Sequence, residues 1–260
     1  MNIFRYLKNI RIGKNNYIEK NVKIHENVII GDNNKIYNGT LIYPNTIIGN
    51  NNIILNNNII GEHPVEAKEI FKNKIFNGLT IGNNNFFHVH NIIYGGYYRK
   101  TEIGNNNKLL AENHIGHDTN ITNNVILYPR CITGGLSKLM PFSTMGMYST
   151  IQQNTVLGQY SMVGMGNCSS HNIFPFFIYV NNKYLRLNTY KIPKEYNIEK
   201  YENELLKIIN DLKNNKFDKN IILNNNLPEF DKNIILYNNL PENIKKYLIE
   251  FYDNVSIKKI

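Results

Sequence analysis

The chain has 260 residues, room for one solenoid-sized domain and a smaller appendage, and its 42% hydrophobic content is ample for a core. Its formal charge of +9 comes without a clustered Arg stripe or a nucleic-acid-binding motif, so nucleic acid is disfavoured and acidic partners such as nucleotide phosphates or an acidic carrier protein are favoured. The two cysteines, Cys131 and Cys168, exclude a disulfide framework and a thiolate metal pattern and point to a reducing, cytoplasmic location, while no apolar run approaches the roughly 20 residues needed to span a bilayer.

From Ile12 onward an aliphatic residue returns every sixth position: Ile18, Ile24, Ile30, Ile36, Ile42, Ile48, Ile54 and Ile60. Neither the helical period of 3.6 nor the strand period of 2 produces this beat. A stacked repeat does, each six-residue unit being a short strand plus a corner, and three units closing a triangular coil of about eighteen residues. Every sixth side chain then points into the prism, and each coil buries the stack of the next through parallel ladders. Gly often follows the inward residue, as in Ile30-Gly31 and Ile48-Gly49, and Asn crowds the corners. Both residue types adopt left-handed backbone cheaply, which predicts that they serve the turns.

Two interruptions follow. The first, 62–78, contains Glu62-His63-Pro64-Val65-Glu66-Ala67-Lys68; the second, 94–102, contains Gly95-Gly96-Tyr97-Tyr98-Arg99-Lys100. Loops mounted on a rigid solenoid are favoured places for binding residues. The beat resumes at Ile103 and continues through Ile115, Leu127, Thr133, Met145, Ile151 and Val163. After about Ser170 it is lost, and the tail reads as helices over 194–214 and 241–253 punctuated by Pro228 and Pro241. The division expected is therefore a β-solenoid over 1–180 and a small helical C-terminal domain over 181–260.

Chemistry concentrates in His114-Ile115-Gly116-His117-Asp118. Ile115 is inward, so His117, two residues later, faces outward, where an imidazole can take a proton from a hydroxyl or amine as general base. Asp118 is suited to orient the ring and stabilise the imidazolium. Residues eighteen apart share a face, which aligns Gly135 and then Gln153 with His117. The Gly135 N–H is a candidate donor to a developing oxyanion. His114 and His117 lack a convincing third metal ligand, and no metal, cofactor or covalent enzyme intermediate is required.

The [LIV]-G-x-x-x-x beat resembles the hexapeptide transferases, which implies an all-β solenoid of left-handed parallel β-helix type, assembled as a homotrimer. Asn113 through Asp118, with Gly134-Gly135 and Val163-Gly164-Met165, is similar to the LpxA family of UDP-N-acetylglucosamine O-acyltransferases. That resemblance implies transfer of an acyl group from an acyl carrier protein thioester to a UDP-linked amino sugar, with sites between subunits. His117 corresponds to the base, Asp118 to its orienting partner and Gly135 to the oxyanion amide. Glu66-Ala67-Lys68 corresponds to the family's acceptor-contacting D-L-K element. His114, Gln153, Asn188 and Met165 are further candidate substrate contacts, and Met165 at the end of the acyl groove implies a short or medium chain. Tyr94, Leu136 and Gln152 stand where the family has His, and the family's signature after the last coil is absent, which implies a divergent acceptor site and leaves either a hydroxyl or an amine as the accepting group. An acetyl-CoA-dependent sugar-nucleotide N-acetyltransferase and a noncatalytic β-helical scaffold share the repeat and remain alternatives.

Overall fold

The computed structural model describes residues 9–64, 75–181, 183–214 and 240–256. Within them the chain winds as a triangular parallel β-solenoid whose three sheets hold eight, ten and eight strands. The first sheet starts at Arg11–Ile12, the second at Tyr17–Ile18 and the third at Lys23–Ile24, and each coil adds one short strand to every sheet. Pairing follows the eighteen-residue multiple: Ile12 with Ile30, Ile18 with Ile36, Ile24 with Ile42. The insertions lengthen two coils without breaking register, since Ile81 still pairs with Ile48 and with Ile103.

One inward residue per strand builds the core. Ile36, Ile54, Phe87, Leu109, Ile115, Leu127, Thr133, Met145 and Val163 are all fully buried. Each buried aliphatic side chain contributes roughly 1.5–3 kcal/mol of transfer free energy, so cohesion is spread evenly along the axis. The first coil is less covered, with Ile12 at 48% exposed and Ile18 and Ile24 only partly buried, because no earlier coil among the described residues stacks on it.

The expected role of Gly at the corners needs correction. Gly13, Gly31, Gly49, Gly82 and Gly104 do not take positive φ, whereas Asn15, Asn33, Asn51, Asn84 and Asn106, two residues later, do. What the glycines permit is close stacking. A Cβ on Gly31 would come within 2.7 Å of the Gly49 carbonyl oxygen in the next coil, leaving no room for a side chain.

The asparagines also tie coil to coil. At the first corner, after the first sheet, each backbone N–H donates to a side-chain Oδ1 of the following coil: Lys14 to Asp32, Asp32 to Asn50, Asn50 to Asn83, Asn83 to Asn105 and Asn105 to Asn123, at 2.6–2.7 Å. A deeper ladder runs parallel to it through buried Asn34, Asn52, Asn85 and Asn107. The second corner has its own, through Asn58, Asn91 and Asn113. An amide carries both donor and acceptor, so it passes the hydrogen bond along the axis. The Asn runs are structural, and the isoleucines keep step through them for that reason.

At the far end the second sheet continues as Phe177–Val180, which turns back antiparallel to Lys183–Leu187. Helices α1 (Glu202–Asn214) and α2 (Glu242–Ser256) follow. The helix expected from 194 begins later than the sequence pattern suggested. Asn197 sits at φ 48°, which no α-helix tolerates, and breaks 194–201 into two 3-10 turns. Leu205, Ile208, Ile244, Leu248 and Phe251 of the helices share a second core with Met140, Val156, Phe174 and Phe177 of the last coils.

Candidate active site

Both insertions leave the solenoid at its third corner, where the third sheet hands over to the first. One follows Ile59–Glu62, the next follows Ile92–Tyr94, and the next coil carries His114–Ile115 and then His117-Asp118 at the same corner. The interrupted beat and the candidate base therefore share one edge of the prism.

His117 is partly accessible, with 21% of its side chain exposed, and its Nδ1 lies 2.7 Å from Asp118 Oδ2. Asp118 itself is wholly buried and sits at φ 59°, the left-handed slot that asparagine holds in other coils. Its second oxygen, Oδ1, accepts three backbone N–H bonds from the second insertion: Tyr97 at 3.0 Å, Tyr98 at 2.8 Å and Arg99 at 2.8 Å. Thr101 Oγ1 accepts the Asp118 N–H at 2.8 Å. A carboxylate oxygen 2.7 Å from Nδ1 is an acceptor for a ring N–H. It therefore holds a proton on Nδ1 and leaves Nε2 as the basic nitrogen.

Gly135 lies in line one coil on. A Cβ there would stand 2.6 Å from His117 Nε2, so only glycine leaves the basic nitrogen its place, and the Gly135 N–H has no acceptor among the described residues. Gln153 follows in the same row and is exposed; the Gly134–Gln153 approach is equally tight, a Cβ on Gly134 meeting Gln153 N at 2.2 Å. His117, Gly135 and Gln153 thus fall in one row, with Asp118 buried beside His117.

His114 is half-buried on the third sheet, 5.0 Å from the Tyr94 ring. Burial lowers its pKa and favours the neutral imidazole. Burial, and then the charge of Glu62, raise the Tyr94 phenol, while a hydrogen bond to Glu62 with burial pushes Tyr43 up to about 12. Glu62, Tyr43 and Tyr94 belong to the third corner of the coils before His117.

The remaining predicted contacts are dispersed. Met165 is 64% exposed, so it fills no core, but it belongs to the second corner, not the third. Asn188 is 3% exposed, its Nδ2 donates to the Tyr160 carbonyl at 2.7 Å, and its N–H donates to the Phe176 carbonyl at 2.7 Å. That makes it a fastener of the terminal hairpin against the first corner, with its amide engaged inside the fold. Glu66 and Lys68 lie outside the described residues.

Sequence reasoning missed the supports of Asp118. The second insertion is itself braced by the end of the first: Gly78 and Gly96 form an antiparallel bridge, Asn77 Nδ2 donates to the Tyr97 carbonyl at 2.7 Å, and Phe76 stacks on His63, whose Nδ1 is 3.1 Å from Tyr97 Oη. Gly95-Gly96 was the one available signal, since a Cβ at Gly96 would strike the Arg99 carbonyl and Asp118. Among the described residues no group of three or more His, Cys, Asp or Glu is placed to hold a metal, and no helix is long and apolar enough to cross a membrane.

The bacterial transferase hexapeptide (six repeats) family matches residues 9–44. The acyl-[acyl-carrier-protein]–UDP-N-acetylglucosamine O-acyltransferase of Burkholderia orbicola is 33% identical over 108 residues, 40% of this chain and 41% of that protein. Its namesake from Campylobacter concisus is 28% identical over 148 residues, 55% and 56% of the two chains. These alignments span about two fifths to a little over half of the relatives' length. Among solved structures, LpxA from Bacteroides fragilis superposes with a TM-score of 0.73 at 26% identity, covering 95% of this chain and 93% of that one. UDP-N-acetylglucosamine acyltransferase from Campylobacter jejuni gives 0.71 at 23%, covering 94% and 91%.

Proposed function

We propose that this chain, an LpxA-like hexapeptide-repeat protein, is an acyltransferase that moves an acyl group from an acyl carrier protein thioester to a hydroxyl or amine of a UDP-linked amino sugar, with His117 as general base. One observation carries the reading: the buried Asp118 carboxylate bonds His117 Nδ1 at 2.7 Å while Nε2 stands over Gly135. The relatives named for this reaction support its class.

His117 Nε2 takes the acceptor proton as the acceptor oxygen or nitrogen attacks the thioester carbonyl. The Gly135 N–H stabilises the oxyanion, and Asp118 stabilises the imidazolium formed on His117. Collapse of the tetrahedral intermediate breaks the C–S bond, and the imidazolium returns its proton to the departing thiolate. A noncatalytic scaffold has no use for a buried carboxylate that orients a histidine, which disfavours that alternative.

The corner assignments support a homotrimer with sites between subunits. His117 and Met165 stand on different edges of one prism, so an acyl groove touching both takes one from each of two copies. The outward row of the third sheet, Leu41, Ile59, Ile92, His114 and Ile132, is mostly apolar and stacked in register, a surface suited to a second copy. Met165 at the groove's end favours a short or medium acyl chain, which a panel of acyl carrier thioesters checks: preference for long 3-hydroxyacyl chains overturns it. The test of the central reading is His117→Ala assayed with UDP-N-acetylglucosamine and acyl carrier thioester by mass spectrometry. Product formation falls by about 10²–10⁴-fold with unchanged thermal unfolding; undiminished activity in the variant overturns the assignment.

A further inference from the structure

The second insertion supplies more than the amides around Asp118. Arg99 Nε donates to the Asp118 carbonyl at 2.8 Å, and Arg99 Nη2 reaches the Leu136 carbonyl at 3.3 Å. These carbonyls belong to equivalent positions of successive coils, with φ of 59° at Asp118 and 62° at Leu136. Each directly follows a reacting group, His117 in one coil and Gly135 in the next.

Around His117 the third corner lacks the asparagine ladders of the first. At the first corner, successive coils are joined by the two asparagine ladders in addition to the backbone. At the third corner the slots equivalent to the deep asparagines hold Thr119 and Ser137. Their hydroxyls each make one bond to a carbonyl, Gly134 at 3.3 Å and Gln152 at 3.1 Å, and neither accepts an N–H from the neighbouring coil. Around the turn itself the two coils are joined by the backbone bond from Leu136 N–H to the His117 carbonyl at 2.8 Å, flanked by Gly116 N–H to the Thr133 carbonyl at 3.0 Å and Asn120 N–H to the Ser137 carbonyl at 2.9 Å. A guanidinium is a rigid fork able to hold two acceptors at a fixed spacing, which an ammonium on a flexible stem is not.

We infer that Arg99 is a positioning residue: a crossbar between the Asp118 and Leu136 carbonyls that sets the spacing of the His117 base and the Gly135 oxyanion donor. The inference rests on the acyltransferase reading. Arg99 lies on the surface and packs in neither hydrophobic core, so its replacement leaves the solenoid folded. Its effect falls on the chemical step, because spacing errors of an ångström cost about a hundredfold in rate.

The test compares Arg99→Met, Arg99→Lys and His117→Ala with the wild-type full chain, using UDP-N-acetylglucosamine and acyl carrier thioester. Arg99→Met lowers kcat by about 10–100-fold with KM for the nucleotide sugar within about twofold. Arg99→Lys keeps the charge and still loses most of that rate, because it cannot span both carbonyls. A variant that retains wild-type kcat, or that raises KM alone, overturns the crossbar; should Arg99→Met fail to fold, the lysine variant decides. An inactive His117→Ala beside a fully active Arg99→Met rejects only this inference, whereas a fully active His117→Ala rejects the acyltransferase reading and the crossbar with it.

Discussion

The first and third corners are built on the same backbone and filled with different chemistry. In the first, asparagines occupy the left-handed slot from Asn15 to Asn124, and their neighbours pass a backbone-to-amide bond from coil to coil. In the third, asparagines hold that slot at Asn27 and Asn45, but in the coil of His117 it holds Asp118. A carboxylate accepts and does not donate, so when buried it needs a donor for each oxygen. The second insertion brings three N–H groups to one of them. A carboxylate in this slot faces His117 where other coils hold an amide, and the loop is what makes its burial tolerable.

Asp118→Asn tests this most severely. The amide is isosteric, and its oxygen can still face the three N–H donors, so the corner survives. Its NH2 then points at His117 Nδ1 and forces the proton onto Nε2, the nitrogen that must accept one. Activity is expected to fall by about 10²–10⁴-fold with little change in thermal unfolding, the same logic that makes an Asp-to-Asn change damaging in a catalytic triad. Steady-state kinetics beside a melting curve checks it, and a variant retaining more than a tenth of wild-type kcat breaks the comparison.

The converse exchange is Asn52→Asp. Asn52 Nδ2 donates to the Gly82 carbonyl at 2.9 Å and to Asn34 Oδ1 at 3.0 Å, in a fully buried position. A carboxylate there sets acceptor against acceptor with no loop to supply donors. A loss of about 3–5 kcal/mol is expected in denaturant unfolding, as for an uncompensated buried charge. Asn52→Ala leaves the Asn85 N–H without its acceptor and costs less, about 1–3 kcal/mol. In both, kcat per folded molecule stays near wild type, because the first corner takes no part in the chemistry.

Much of this contrast was legible in the sequence wherever register held. The inward stack from Ile30 to Val163 follows from a period of six, and the row His117, Gly135, Gln153 from its multiple of eighteen. The same arithmetic places Met165 on another edge, since its separation from His117 is not a multiple of eighteen. The insertions have no period, so apart from Gly95-Gly96 nothing in their residues announced that Tyr97, Tyr98 and Arg99 would aim backbone N–H groups at Asp118. Asn188 was illegible for a related reason: past the last coil, position along the chain no longer indicates which way a side chain points, and its amide turns inward to Tyr160.

The smallest expected effect concerns a charge at the first corner that has no counterpart to the third corner's loop. Lys191 reaches in from the C-terminal segment, donating to the Phe142 carbonyl at 3.4 Å, and burial, then the proximity of Lys108, lower its pKa to about 8. In the unfolded chain an ordinary lysine titrates near 10.4. Between those values the unfolded state binds more protons than the folded one, so stability rises with pH from about 8 to about 10; below 8 both states are charged and the folded one carries the whole penalty. Lys191→Met removes the penalty. It is expected to raise Tm at pH 7 by roughly 2 °C, modestly because a half-exposed ammonium is screened by solvent, and to leave Tm unchanged near pH 10. Melting curves at the two pH values check it: an equal gain at both would assign the effect to packing against Phe142, and a loss at pH 7 would mean that the carbonyl contact outweighs the desolvation of the charge.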